Sequence, residues 1–150
     1  MYSNDGKLFG FGNNEYYQLS PDGVEKYENP ILILENKEIE MIECGAFYYL
    51  IYKRNGDLLA VGDNAYKQCT DLIKENKTDK LTLIMNIKNL KMISCGYHHT
   101  FLLFQDGKAL GFGMNSYRQG IFFFEVLIFC FLNQQSIFLF FILNTVRDET

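Results

Sequence analysis

No two cysteines in this chain are spaced as Cys-x-x-Cys, and histidine occurs only at positions 98 and 99. Nothing in the spacing therefore marks a metal centre, and neither a metal nor a cofactor is expected. The two histidines make no compact catalytic pair, because neighbours on a strand point to opposite faces. Positive charge is also scarce: 14 Lys and Arg against 18 Asp and Glu give a net charge of −4. Phosphate binding needs concentrated lysine and arginine, so a broad nucleic-acid face is excluded and direct DNA binding is not expected. Gly10-Phe11-Gly12 and Gly111-Phe112-Gly113 are no phosphate loops, since both lack the lysine and the following helix such loops require. No arrangement of residues forms an active site, and the chain is read as non-enzymatic. Tryptophan is absent altogether.

What the chain does contain is a repeat. Gly6-Lys-Leu-Phe-Gly-Phe-Gly12-Asn-Asn14-Glu-Tyr16-Tyr-Gln18 recurs from Gly56 through Gly62, Asn64 and Tyr66 to Gln68, and again from Gly107 through Gly113, Asn115 and Tyr117 to Gln119. The intervals are 50 residues (6 to 56) and 51 residues (56 to 107). A fixed period of this size is the signature of blades or solenoid units. A second pattern runs in phase with it, as Ile39-x-x-Ile42-x-Cys44-Gly45 returns as Leu90-x-x-Ile93-x-Cys95-Gly96.

Each repeat reads as a β-hairpin. Asp5-Gly6, Asn55-Gly56 and Asp106-Gly107 are dipeptides that favour positive φ at both centres of a tight turn, and each precedes an apolar strand. Apolar strands also lead into two of them, at 47–52 and 100–104. A small residue, Gly10, Ala60 or Gly111, falls where a side chain would obstruct a neighbouring strand. Gly12, Gly62 and Gly113 end the strand before an asparagine able to hydrogen-bond its own turn backbone.

These residues resemble the regulator of chromosome condensation repeat family, whose units run from Cys/Ala-Gly-x-x-His-Ser/Thr through Gly-x-Val-x-x-Trp-Gly-x-Asn to Gly-Gln-Leu-Gly. The nearest match is Cys95-Gly96-Tyr97-His98-His99-Thr100, followed by Asp106-Gly107, Phe112-Gly113, Asn115 and Gln119. The likeness implies an all-β fold, a partial β-propeller of about two and a half blades where a full ring of the family has about seven. It spans residues 1–120. Departures are numerous: Phe11, Val61 and Phe112 replace the tryptophan, Tyr17, Lys67 and Arg118 replace the glycine before glutamine, and Tyr48 stands where the first histidine should be. His99, at the family's histidine position, is expected to pack or hydrogen-bond within its blade.

An open stack of repeats exposes an apolar face and an unpaired edge at each end, so the chain is expected to be a fragment, an incomplete gene product or a half-propeller closing with a partner. The segments between hairpins are charged, with a balance of minus five over residues 22–43 and plus three over 74–91. Both are read as solvated rims or as docking surfaces of opposite sign. Cys44 and Cys95 are expected to be buried free thiols at equivalent positions. No cleavable leader precedes Gly6, which points to cytosol or nucleus.

Residues 121–150 are a different kind of sequence, holding eight of the fourteen phenylalanines. The stretch 121–143 is long enough to cross a bilayer, yet Glu125 and the run Asn133-Gln134-Gln135-Ser136 interrupt it. A translated intron or frame-shifted end, a membrane anchor and a buried β-hairpin all remain open for it. For the repeats the expected function is a non-catalytic protein-interaction module. Guanine-nucleotide exchange on a small GTPase, the activity of the family's founding member, and a membrane-tethered repeat protein are the alternatives.

Overall fold

The structure is a computed structural model that describes residues 1–70 and 73–114 in full. Beyond them it describes the backbone of 120–123, 126–133 and 136–141. The expectations for Asn115, Tyr117 and Gln119, and for the side chains of the C-terminal stretch, lie outside the described residues. Two compact units result, Met1–Met114 and Asn115–Thr150. All regular structure among the described residues is β.

The first unit holds three successive antiparallel sheets. β1 (Lys7–Asn13) pairs with β2 (Lys26–Glu35), and Met1 to Ser3 lies along β1 through the Tyr2–Leu8 bridge and the bond from Phe9 N to Met1 O, 2.8 Å. The second sheet is complete, running in order through β3 (Ile39–Cys44), β4 (Tyr48–Lys53), β5 (Asp57–Asp63) and β6 (Lys77–Asn86). The third contains β7 (Leu90–Cys95), β8 (His99–Phe104) and β9 (Ala109–Gly113). The second unit is a meander of β10 (Gly120–Phe123), β11 (Val126–Asn133) and β12 (Ser136–Phe141).

Strand alternation divides the apolar residues of the second sheet between two layers. Along β4, Tyr48, Leu50 and Tyr52 join Leu58, Ala60 and Ile84 against Leu90, Ile93 and Leu102 of the third sheet. Their neighbours Tyr49 and Ile51 turn the other way, with Ile39 and Val61, onto Leu8 of the first sheet. Buried on both faces, β4 is a continuous apolar run instead of an alternating one, and its fully buried Leu50 contributes roughly 2 kcal/mol. The position of the family's tryptophan follows the same rule. Val61 is 3% exposed beneath the first sheet and Phe112 packs on the layer before the third, whereas Phe11, on the first sheet of this unit, is 62% exposed.

The period is visible in the hydrogen-bond register. β1–β2 and β5–β6 carry irregularities at equivalent places, Leu8/Phe9 with Gly10/Gly12 and Leu58/Leu59 with Ala60/Gly62. β3–β4 and β7–β8 share another, at Ile39/Met41 and Leu90/Met92.

One turn expectation needs correction. Gly6, Gly56 and Gly107 have positive φ, but Asp5, Asn55 and Asp106 do not. Each loop is instead a three-residue connection closed by the glycine N–H on the carbonyl three residues back, as in Gly56 N to Lys53 O at 2.8 Å. Such loops need one left-handed residue, and the Asn55 and Asp106 side chains accept from the backbone two residues on, at 3.0 Å each.

Gly62 and Gly113 end β5 and β9 at φ of 110° and 101°. A Cβ on Gly62 would overlap the Phe47 carbonyl and lie 2.7 Å from Tyr48 Cα; on Gly113 it would overlap the His98 carbonyl and lie 2.8 Å from His99 Cα. Gly12 shares the conformation, at 104°, but opens onto space. Gly62→Ala and Gly113→Ala should therefore each cost well over about 1 kcal/mol and Gly12→Ala about that much. Thermal melts of the three variants check the ranking, and equal losses would sink the steric argument.

Candidate functional site

The repeat motif builds two equivalent loops. After β1, buried Asn14 donates from Nδ2 to Ser20 O (2.8 Å) and Val24 O (2.7 Å), and its Oδ1 accepts from Leu19 N (2.7 Å) and Ser20 N (3.1 Å). After β5, Asn64 repeats the set with Thr70 O, Glu75 O, Cys69 N and Thr70 N, at 3.1, 3.2, 3.0 and 3.2 Å. The expected turn bond is thus a larger device, in which one amide folds a loop of about a dozen residues. Gln18 and Gln68 brace the same loops: their Oε1 atoms accept from Tyr16 N and Tyr66 N at 3.0 and 2.9 Å. Nε2 of Gln68 donates to Asp63 at 2.6 Å.

The residue between motif tyrosine and glutamine is left-handed, with φ of 61° at Tyr17 and 62° at Lys67. This is where the family pattern has glycine. The departure from the pattern leaves the backbone conformation in place and puts a strained side chain on it.

The Cys-Gly-x-x-Tyr/His stretches form equivalent turns. Gly45 N donates to Tyr48 O and Gly96 N to His99 O, both at 2.8 Å. The Tyr48 ring lies where a Gly45 side chain would be, and the His99 ring does the same over Gly96. Tyr48, in the histidine position, reaches from the second sheet to the third: its hydroxyl donates to His99 O at 2.6 Å and lies 3.0 Å from Thr100 Oγ1. Thr100 Oγ1 donates back to Gln68 O at 2.8 Å. Burial holds the Tyr48 hydroxyl protonated far above the ordinary range. His99 packs inside its own sheet, 5.9 Å from Phe101 in an edge-on contact, and burial lowers its pKa, with His98 adding to the effect.

The cysteine expectation is half right. Cys44, Cys69 and Cys95 are free thiols, but Cys44 is exposed, Cys95 half-buried and the loop residue Cys69 fully buried. Cys95 Sγ lies 3.8 Å from Glu43 O on the preceding sheet. Among the described residues the first sheet has no strand equivalent to β3, and Cys44 lines a cavity of about 390 Å³ with Leu8, Phe9, Ile33 and Tyr49. Desolvation raises all three thiols, Cys95 to about 12.

Outside the expected set stands an aromatic series. Tyr16 lies 5.0 Å from Phe47, Phe47 5.7 Å from Tyr97, Tyr97 4.5 Å from His98 and His98 4.3 Å from Tyr66. His98 Nδ1 is 3.5 Å from the carboxylate of buried Asp63. The recurrence of Tyr16 and Tyr66 in the motif was a signal for this feature, but their partners lie in the following repeat. Among the described residues, no group of three or more His, Cys, Asp or Glu side chains is placed to hold a metal ion, and no helix is long and apolar enough to cross a membrane.

Three sheets stacked at a fixed period, the first two closing their loops on buried Asn14 and Asn64, define a β-repeat protein of the propeller class. Models of the Regulator of chromosome condensation (RCC1) repeat match residues 5–51 and 91–119. The chain belongs to this family, and its fold is a partial β-propeller. An RCC1 repeat-containing protein of Dictyostelium discoideum is 26% identical over 132 residues, and protein pim1 of Schizosaccharomyces pombe 28% over 123. Those alignments cover 78% and 76% of this chain but 26% and 23% of the relatives, so the chain spans about a quarter of their length. Among solved structures, Prp20p of Saccharomyces cerevisiae, described with its binding properties to Gsp1p and histones, superposes with a TM-score of 0.67 at 21% identity. That match covers 79% of this chain and 31% of Prp20p. The complex of Kap60 with yeast RCC1 (Prp20) gives 0.64 at 23%, covering 75% and 29%.

Maleimide labelling of the native chain, followed by peptide mapping, should modify Cys44 first, Cys95 more slowly and Cys69 only on unfolding. Labelling of Cys69 as fast as Cys44 would contradict the burial order.

Proposed function

We propose that the chain is a non-catalytic protein-interaction module. The observation that carries this reading is where the motif's polar atoms go. Asn14, Asn64, Gln18, Gln68, Tyr48 and Thr100 direct their hydrogen bonds to loop backbone and to the neighbouring sheet. No convergent nucleophile, base or anion-binding group is left over among them, and propeller loops lend themselves to contacts with proteins. The partner is a protein, and the setting is the nucleus or cytosol.

Exchange on a small GTPase is the second reading, supported by the likeness to Prp20p, whose description includes Gsp1p binding. Exchange needs a face assembled from several blades, and this chain holds three sheets in its first unit. Release of a fluorescent guanine nucleotide from a panel of small GTPases should be no faster with the full chain than without it. Acceleration that saturates with GTPase concentration would replace the interaction reading with exchange.

We further propose that residues 1–120 form the repeat module and 121–150 a separate Phe-rich segment, any membrane contact falling to residues 121–143. Such segments of low charge favour aggregation. A chain ending at Gly120 should keep the melting transition of the repeats and give more monodisperse protein. Loss of that transition on truncation would make residues 121–150 part of the repeat core. Carbonate-resistant membrane association of the full chain alone would assign them to an anchor.

A further inference from the structure

We infer that Tyr16, Phe47, Tyr97, His98 and Tyr66 form a docking track for an extended arginine- or lysine-rich peptide. The repeat builds the track. Tyr16 in the loop of the first sheet packs on Phe47 in the β3–β4 turn, and Tyr66 one repeat later packs on His98 in the β7–β8 turn. Tyr97 joins the two pairs, edge-on to Phe47 and to His98. The rings therefore pass across all three sheets of the first unit, in the manner of a bound segment that runs from blade to blade.

Exposure shows that the track is more than packing. Tyr66 and Tyr97 are 49% and 45% exposed although each touches another ring, and Tyr16, Phe47 and His98 are half-buried beside them. A tyrosine needed only for the core would bury its faces.

The charge around the rings selects the partner. Glu15 is exposed beside Tyr16, and Asp63 lies beneath His98, its Oδ2 held by Gln68 at 2.6 Å. Burial is the larger influence on His98 and lowers its pKa against the pull of the Asp63 carboxylate 3.5 Å away. Tyr16 feels both carboxylates: desolvation raises its pKa most, and Glu15, Asp63 and Tyr97 add to the rise. The nearest ammonium in sequence, that of Lys67, is engaged by the carbonyls of Ile73 and Lys74 at 3.2 and 3.0 Å. Aromatic faces beside exposed Glu15, with the buried Asp63 carboxylate held beneath them by Ala65 N and Gln68 Nε2, suit a guanidinium or ammonium, which gains both ring and ion attraction. The molecule already uses such a contact nearby, with Lys77 Nζ 4.2 Å from the Tyr17 ring centre.

This inference rests on the interaction-module reading, and the test separates the two. A fluorescein-labelled Gly-Arg repeat peptide is titrated into the full chain, with Gly-Glu and uncharged proline-rich peptides of equal length beside it. Saturable, salt-sensitive binding of the Gly-Arg peptide alone is expected. Tyr66→Ala and Tyr97→Ala should each weaken it about two- to fivefold with unchanged melting transitions, and Glu15→Gln should weaken it while reducing its salt dependence. No saturable binding, equal binding of the proline-rich or acidic peptide, or Gly-Arg binding untouched by both tyrosine substitutions would each overturn the track. The last result would place binding on the acidic stretch 22–43. A protein partner captured by the full chain and insensitive to those substitutions would leave the interaction module standing without this track. Accelerated nucleotide release would remove the module reading independently of the titration.

Discussion

The fold of the first unit depends on sheets that cannot be stable alone holding to one another, and the hydroxyl of Tyr48 is the polar fastening in that stack. It crosses from β4 to His99 O and Thr100 Oγ1, and Thr100 returns the connection to Gln68 O in the loop after β5. Every member of this chain of bonds is buried. A buried hydroxyl without a partner costs about 1–3 kcal/mol, so the network is favourable only when strand, turn and loop are all in place. That requirement couples three separate pieces of the motif: the Cys-Gly turn, the strand that follows it and the glutamine of the loop.

Around this fastening, apolar contact does the quantitative work. Two hydrophobic layers flank the second sheet, and β4 contributes to both by alternation. The loops are then shaped from within, since Asn14 and Asn64 each satisfy four or more backbone groups that the chain's bend removes from strand pairing. A loop folded on a buried amide is stiff at its base. Tyr16 and Tyr66 sit there, two residues after the asparagine and with their N–H groups held by Gln18 and Gln68, which explains how a surface aromatic can be held at a defined distance from the next sheet.

Much of this was legible in the residues because it is periodic. The intervals of 50 and 51, the glycines and the asparagines all mark backbone geometry, and backbone geometry repeats whenever the motif does. Three features were not legible. Turn conformation at Asp5, Asn55 and Asp106 differs because the same dipeptide serves two hairpin loops of different length. Cys44 and Cys95 diverge in exposure because equivalence within a sheet says nothing about which sheet lies against it. The aromatic series escaped because its contacts join residues about thirty apart, between the loop of one repeat and the turn of the next, whereas a motif read within one repeat stays local.

The left-handed residues show how a degenerate repeat keeps its fold. Glycine would adopt φ near 60° at positions 17 and 67 freely, and a residue with a Cβ loses about 1 kcal/mol there. Both replacements recover interactions that glycine cannot make. Lys67 extends its ammonium to the carbonyls of Ile73, Lys74 and Glu75, closing the far side of the loop that Asn64 holds from within. Tyr17 receives Lys77 of β6 on its ring, a link from the first sheet's loop to the second sheet's outer strand. Local strain is thus exchanged for tertiary contact, and the loop comes to depend on its neighbours where a glycine-bearing repeat would depend on its own backbone. Repeats built this way lose independence and gain coupling, which is what a short stack needs if its sheets are to hold one arrangement long enough to present a surface.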